Sequence, residues 1–476
     1  MTDRKPIIGP ILILDEFRDA DMHCAALFVA PTGVTPGPIR INTADHAPER
    51  IASYQAKDVY RIRFALPANT ASSYVWNDTT YEVQGSFAQD LRIAYVSCNG
   101  EEIGDLDRES SERNAMWARM CSEHRNEPFS LLLHGGDQVY ADEVTHGHTL
   151  SEDWPDRLPR DPSREDLASL REHLRERFLQ RYLSIYAAPE FAWIAARVPS
   201  LMQWDDHDIC DGWGSLPRSR TYSPVGQTLF SVARESFLTF QHGLSEEDLS
   251  ARFQDPDGAH LGWAVQVPGL RIIAPDLRSE RTRRTVMWKG GWQTMSDAAE
   301  EEFAGRTFLM SSVPLLGPRL SLIEMIMVLI PKMQKYEDDL RDQWQSRAHR
   351  AAWRRMLRLV LKMAAREEQQ VTALSGEIHL ANRAELRLSD SEVLHQLVAS
   401  GIAHRAPPKT WARILGTLAS LGEDPLPDHP ISVRRIPGQD NRYVAERNYL
   451  ILERNHDNWT ATWNFESSGI STPLSI

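Results

Sequence analysis

Four stretches of this chain set side chains able to bind a metal directly after an apolar run. LLLHGGDQVYADEV (131–144) follows its leucines with Asp137, Tyr140 and Asp142, and LRIAYVSCNG (91–100) ends on Ser97, Cys98 and Asn99. SLMQWDDHDICDGWGS (200–215) supplies Asp205, Asp206, His207, Asp208 and Asp211, and VTALSGEIH (371–379) supplies Glu377 and His379. Each has an ordinary explanation alone: a turn aspartate, a small core cysteine, a packing tyrosine, a hydrogen-bonded strand histidine. Recurrence changes the weight. In α/β sheets ligands gather beyond the carboxyl ends of the strands, so turns distant in sequence meet in one crevice. Carboxylates, imidazole, thiol and phenol together suit a borderline or hard transition ion with a second hard cation better than a closed structural zinc site. No CxxC pair exists, and HGH at 146–148 lacks partners at zinc-motif spacing.

The elements that must position these residues are visible around them. Up to about residue 90, alternating segments such as YRIRFALP and SYVWNDTTYEV are divided by turn signals, which predicts a small immunoglobulin- or fibronectin-like β-sandwich over 1–90. From Leu91 the runs LRIAYV, FSLLL, SLMQW, GLRIIA, TFLMSSV and VTALS alternate with helical stretches, the pattern of an α/β domain over 91–455, followed by a C-terminal strand or tail at 456–476. Residues 163–186 predict a solvated amphipathic helix. Residues 343–366 set Arg347, Arg350, Arg354, Arg355 and Arg358 around Trp353, Leu357, Val360 and Ala364, a packed helix with a basic outer face. The proline-marked region 401–426 predicts a covering loop or an irregular C-terminal elaboration. The apolar run at 320–330, within a helical elaboration over 320–370, is broken by Glu324 and closed by Pro331. It falls short of the roughly 20 residues a membrane span needs and predicts a core or lid helix.

Composition narrows the function. The 476 residues carry 66 Asp and Glu against 53 Lys and Arg, a net charge of −13, which argues against a protein that wraps nucleic acid or an anionic membrane. The N-terminus, MTDRKPIIGPILILDEF, has no signal-peptide h-region, so a cytoplasmic location is expected. Cys24, Cys98, Cys121 and Cys210 are too scattered for a disulfide framework, in keeping with a reducing compartment.

With these residues in view, the chain resembles the PhoD-like, or alkaline phosphatase D, branch of the calcineurin-like metallophosphatases. The resemblance rests on SCNG (97–100), GGDQVYAD (135–142), WDDHD with DGWGS (204–215), DLRSER (276–281), SSVPLLG (311–317), DDLRDQW (338–344), SGEIH (375–379) and VASGIAHRAP (398–407). It implies a four-layer α/β/β/α metallophosphatase fold behind the N-terminal sandwich, and a metal-dependent phosphoester hydrolase. It implies that Asp137 is shared between two metals, with Cys98 and Tyr140 on an iron side, Asp206 where relatives carry the Asn of a GNH motif, His379 as the distal ligand and His207 as proton donor. Asn99, Arg278 and Arg281 would lie on the phosphate side. The expected cofactors are two or more metal ions, Fe3+ with Ca2+ or another divalent ion such as Mn2+ or Zn2+.

Paired cations of this kind hold a phosphoryl oxygen, acidify a bridging water and neutralise charge during in-line displacement. The expected partner is a small phosphoester, with no specific nucleic-acid or membrane partner. One departure stands out: Glu377 occupies the place of the family's Asp, and its extra methylene carries the carboxylate about 1.5 Å further. The alternative it opens is a catalytically degenerate phosphoester-binding or scaffolding module.

Overall fold

The structure, a computed structural model, describes residues 6–255, 260–318, 342–376 and 378–476. All six apolar runs form strands: Leu91–Val96, Leu131–Gly135, Ser200–Gln203, Leu270–Ala274, Gly305–Met310 and Gln369–Ser375. Every residue of the first four is buried, which is why they appear as unbroken apolar runs rather than alternating ones.

These strands divide between two sheets. In an eleven-stranded sheet, Leu91–Val96, Leu131–Gly135 and Ser200–Gln203 lie parallel, with Leu132 opposite both Ala94 and Ser200. The strand Asn448–Asn455 continues this sheet antiparallel to Leu91–Val96 and pairs in turn with Asn458–Phe465. In a nine-stranded sheet, Leu270–Ala274, Gly305–Met310, Gln369–Ser375 and Val393–Val398 are parallel neighbours. Alternation along this second sheet separates two cores. Ile272 and Phe308 join the core shared with the first sheet, where Phe308 meets the Trp459 ring edge-on. Ile273 and Leu309 join Trp292 and Met295 of the helix Lys289–Glu300 and Trp353, Leu357 and Val360 of the helix Arg350–Ala364. The fold is mixed α/β, with one sheet buried on both faces.

The helix Arg164–Tyr186 starts at a capping box between Ser163 and Asp166, and turns Leu170, Leu174, Phe178 and Tyr182 inward at four-residue spacing. The arginine-rich helix is packed as expected, with Arg355 over the Trp292 ring. It begins at Arg350 rather than near 343, because the preceding side chains turn inward: Trp344 donates to Ser311 Oγ and Gln345 to Pro314 O.

Residues before 90 add four strands to the eleven-stranded sheet, joined to the site-bearing strands where Ile13 pairs in parallel with Ser200. A four-stranded sheet closes over them, bringing Trp76 onto Phe28 and Tyr74 onto Phe64. The change of texture near residue 90 is therefore not a break in the sheet or in the core. Alternation identifies a strand but not what its edge will pair with. Region 401–426 is more regular than a covering loop: it holds the helix Lys409–Leu418 and the strand Glu423–Leu426. Its prolines are compatible with both, Pro408 preceding the helix and Pro425 lying on the terminal strand of its sheet. The run at 320–330 lies outside the described residues, as does Glu377. Among the described residues no helix is long and apolar enough to cross a membrane.

Candidate metal centre between the two sheets

The four motif-bearing strands do converge, but from two sheets. Three end in the first sheet and Gln369–Ser375 ends in the second. Close approach makes this possible. A Cβ on Gly136, whose φ is 113°, would stand 2.7 Å from the Asp205 Cβ, and one on Gly376 would stand 2.3 Å from Ser97 Oγ.

Cys98, Asp137 and His379 all take left-handed backbone, at φ 56°, 54° and 52°. For residues other than glycine this costs on the order of 1–3 kcal/mol each and persists only where neighbours enforce it. Here they do. Cys98 N donates to Gly136 O at 3.1 Å and Asn99 N to Asp137 O at 2.8 Å. Asp137 N donates to Asp208 Oδ2 at 2.8 Å, and His379 N to Ser400 Oγ at 2.9 Å. Asp208 accepts further from the backbone N–H groups of Gln138, Val139 and Asp205 and from Gln241 Nε2, so one carboxylate ties the GGDQV turn to the WDDHD turn.

Candidate ligand atoms of Cys98, Asp137 and His379 lie within 4.8 Å of one another, and so do those of Asp137, Asp206 and His207. Asp137 belongs to both sets. Its Oδ2 accepts from Cys98 Sγ at 3.4 Å, whereas its Oδ1 is buried without a hydrogen-bond partner. Burial pushes its carboxyl well above the usual range; the His207 charge opposes this and the neighbouring aspartates add to it. An orphaned, desolvated acceptor beside thiol, imidazole and a second carboxylate is the donor set of a cation site, since a cation would both satisfy Oδ1 and hold the carboxylate ionised.

His207 Nδ1 lies 3.0 Å from both Asp142 oxygens, leaving Nε2 as the nitrogen not held by that carboxylate. Burial lowers the affinity of His207 for a proton, but Asp142 and Asp206 outweigh it and raise the pKa well above the ordinary value. Tyr140 stacks on His207 with ring centroids 4.3 Å apart, and its hydroxyl lies 2.9 Å from His379 Nε2. Burial pushes that phenol far above its usual pKa. Asp206 Oδ2 accepts from Gly212 N, and its Oδ1 lies 3.3 Å from Arg278 Nη2.

The residues expected on the phosphate side sit behind this cluster. Asn99 uses Oδ1 to accept from Trp117 Nε1 at 2.8 Å and Nδ2 to reach Gln138 O. Arg278 is wholly buried, bonded to Asp205, Asp342 and Trp213 O as well as Asp206. Arg281 is committed to Asp342 through Nε at 2.6 Å, and also to the Asp342 carbonyl. Neither arginine is in a surface ion pair. Asp142 was in view within GGDQVYAD, yet nothing local marks it as the partner of His207. Glu102 and His404 were not singled out; their candidate ligand atoms lie within 4.8 Å of that of His379. His404 lies inside VASGIAHRAP, and Glu102 two residues beyond SCNG.

The fold and the cluster define a mixed α/β protein with a cation-competent cleft at strand ends. The chain belongs to the PhoD related phosphatase family, whose model matches residues 79–337. That match takes in Cys98, Asp137, Asp206 and His207 and stops before His379. An uncharacterized protein of Saccharomyces cerevisiae is 22% identical over 502 residues, spanning 82% of this chain and 70% of the yeast protein. A solved structure of PhoD superposes with a TM-score of 0.57 at 12% identity, covering 99% of this chain and 91% of that one. At that identity the likeness is one of fold.

Proposed function

We propose that this protein is a metal-dependent phosphoester hydrolase working on a four-layer α/β/β/α scaffold with a dinuclear centre. The observation that carries this is Asp137, shared by two ligand sets and holding a buried oxygen with no protein partner. Asp137 would be the shared carboxylate, with Cys98, His379 and Tyr140 toward one cation and Asp206 toward the other. Ferric iron with calcium, or with another divalent ion, matches the mixture of thiol, phenol and carboxylates. Cations held there would supply positive charge to the phosphoryl oxygens and lower the pKa of an attacking water.

The chain's own side chains do the rest. Asp142 holds Nδ1–H of His207, so Nε2 is free to give a proton to the departing oxygen. Arg278 braces Asp206 and Asp205, and Asn99 fixes the turn that carries Cys98. Arg281 extends this bracing through Asp342 and acts as a positioning residue, rather than touching phosphate.

The test is hydrolysis of chromogenic phosphomonoesters and phosphodiesters by protein purified without chelator, with elemental analysis alongside. Activity should vanish on metal removal and return with added metal. Full activity in verified metal-free protein would refute the mechanism. Stoichiometric metal without hydrolysis would favour the degenerate binding module instead.

A further inference from the structure

The segment that carries DLRSER runs outward from the metal centre along the turn formed by residues 212–215. At its inner end Arg278 is wholly buried, bonded to Asp205 and Asp206, and donates from Nη1 to Trp213 O at 3.0 Å. Further out, Arg281 packs on Gly214: a Cβ on that glycine, whose φ is 108°, would stand 2.7 Å from the Arg281 Cδ. At the outer end Arg283 is exposed and donates from Nε to Ser215 O. The contacts advance together, 278 on 213, 281 on 214 and 283 on 215, so buried and exposed arginines follow one line. The turn is itself tied to the centre, Gly212 N donating to Asp206 Oδ2 at 2.9 Å and Ser215 N to Gly212 O at 2.9 Å. Its three residue steps span at most about 10 Å, which keeps Arg283 within reach of a substrate held at Asp206.

Arg283 and Arg284 form the tip of a two-residue turn. Thr282 N donates to Thr285 O at 2.8 Å and Thr285 N to Thr282 O at 3.2 Å, and Thr282 O accepts from His349 Nε2 at 3.2 Å, so the tip is anchored. Arg218 follows Ser215 by three residues and holds its guanidinium 4.7 Å over the Tyr222 ring. All three arginines are exposed, and among the described residues none has an ion-pair partner. The acids bordering these segments are turned elsewhere. Glu280 accepts from Trp288 N at 2.8 Å, and the charges acting most on Asp211 are those of His207, Asp206, Asp142 and Glu102, toward the centre.

We propose that Arg283 and Arg284, with Arg218 beside them, form an anion-binding rim of the cleft that selects phosphoesters carrying a second phosphate or carboxylate. This rests on the hydrolytic reading of the cleft. Asp205, Asp206 and Asp342 take up the charge of Arg278 and Arg281, so the positive charge open to a substrate lies further out along the same segment. Guanidinium groups suit such a partner because their planar N–H forks match both kinds of oxyanion. Exposure keeps each contact modest. The rim therefore sorts substrates by their distal group and takes no part in the bond-breaking step.

The experiment titrates the full chain, purified without chelator, calorimetrically with two non-hydrolysable probes: hexylphosphonate, and 1,6-hexanediphosphonate, which adds a second anionic group at the far end of the same chain. The readout is the ratio of the two affinities. Wild type should prefer the diphosphonate by roughly tenfold, what two or three exposed charge pairs supply, and added salt should shrink that preference. Combining Arg218→Gln, Arg283→Gln and Arg284→Gln should abolish it, whereas Arg218→Lys, Arg283→Lys and Arg284→Lys together should keep most of it, because the charge remains. Circular dichroism is the folding control; should the combined Gln variant fail to fold, Arg284→Gln alone decides, with a loss of about twofold. Equal affinity for both probes in wild type, a preference that survives the Gln variant, or one lost in the Lys variant would overturn the rim and leave the hydrolytic centre standing. Binding of neither probe would overturn both.

Discussion

His207 and Asp142 meet across 65 residues of sequence, and a single bidentate contact fixes which imidazole nitrogen is available. If His207 gives its proton to the leaving oxygen, its removal matters most where that oxygen is a poor leaving group. His207→Ala should slow alkyl phosphoesters by on the order of 100-fold or more, and nitrophenyl esters far less. Asp142→Asn keeps the shape but no longer favours the imidazolium, so it should lose less activity with the same leaving-group bias. Equal losses on both substrate types would make His207 a ligand or a packing residue. Tyr140 carries a second prediction at this scale. If ferric iron binds beside it, the phenolate gives a visible charge-transfer band that Tyr140→Phe should bleach without unfolding the chain. A band that survives the substitution would remove Tyr140 from the ligand set.

At the scale of elements, the centre depends on how one turn is pinned to another. Asp208 accepts from four backbone N–H groups and from Gln241, which ends the π-helical turn Phe237–Gln241. Burial pushes its carboxyl up to about 7, and those donors pull the other way. Asp208→Asn would turn an amide NH2 toward donors that need an acceptor, a loss on the order of 3 kcal/mol. Urea unfolding should register that loss, and metal content should fall because Asp137 loses the bond that holds its left-handed backbone. Unchanged stability and metal content would show that the strand ends, rather than Asp208, set the turn. At this scale two stretches of sequence acquire surroundings that their local order did not announce. The arginines of DLRSER looked available to a phosphate, yet Asp342 and Asp205 take them into the interior. Region 401–426 looked irregular because proline was read as a breaker, whereas here it starts a helix and sits on a sheet edge.

Across the whole molecule, burial leaves a signature in acid. His124, His134, His349 and His395 are each pushed down to about 4, burial being the largest cause in every case. Their folded pKa lies below the unfolded value, so the unfolded chain takes up protons first. The stability these four contribute is complete above about pH 6.5 and drains away as the pH falls toward 4. His134, enclosed between Gln138 and Ser200, accounts for on the order of 3 kcal/mol of this by its shift. Urea midpoints between pH 7 and 5 should therefore fall more steeply for wild type than for His134→Gln, which cannot titrate. Parallel curves would show that His134 is protonated in the folded state.

What the amino-acid order determined by itself was local. Apolar runs of strand length, glycines at their ends and ligand-type side chains just beyond them follow from near-neighbour chemistry; from these the six strands were legible, and Cys98, Asp137, Asp206, His207 and His379 stood out as candidates that the fold then brings together. Tertiary structure alone decided that Gln369–Ser375 reaches the cleft from a second sheet, that Asp142 serves His207, and that Asp342 neutralises Arg278 and Arg281. It also decided that His404 lies on His379. These are pairings between residues tens to hundreds of positions apart. A side chain's partner at that distance is set by how sheets stack and where their edges join, and no periodicity within a single segment encodes it.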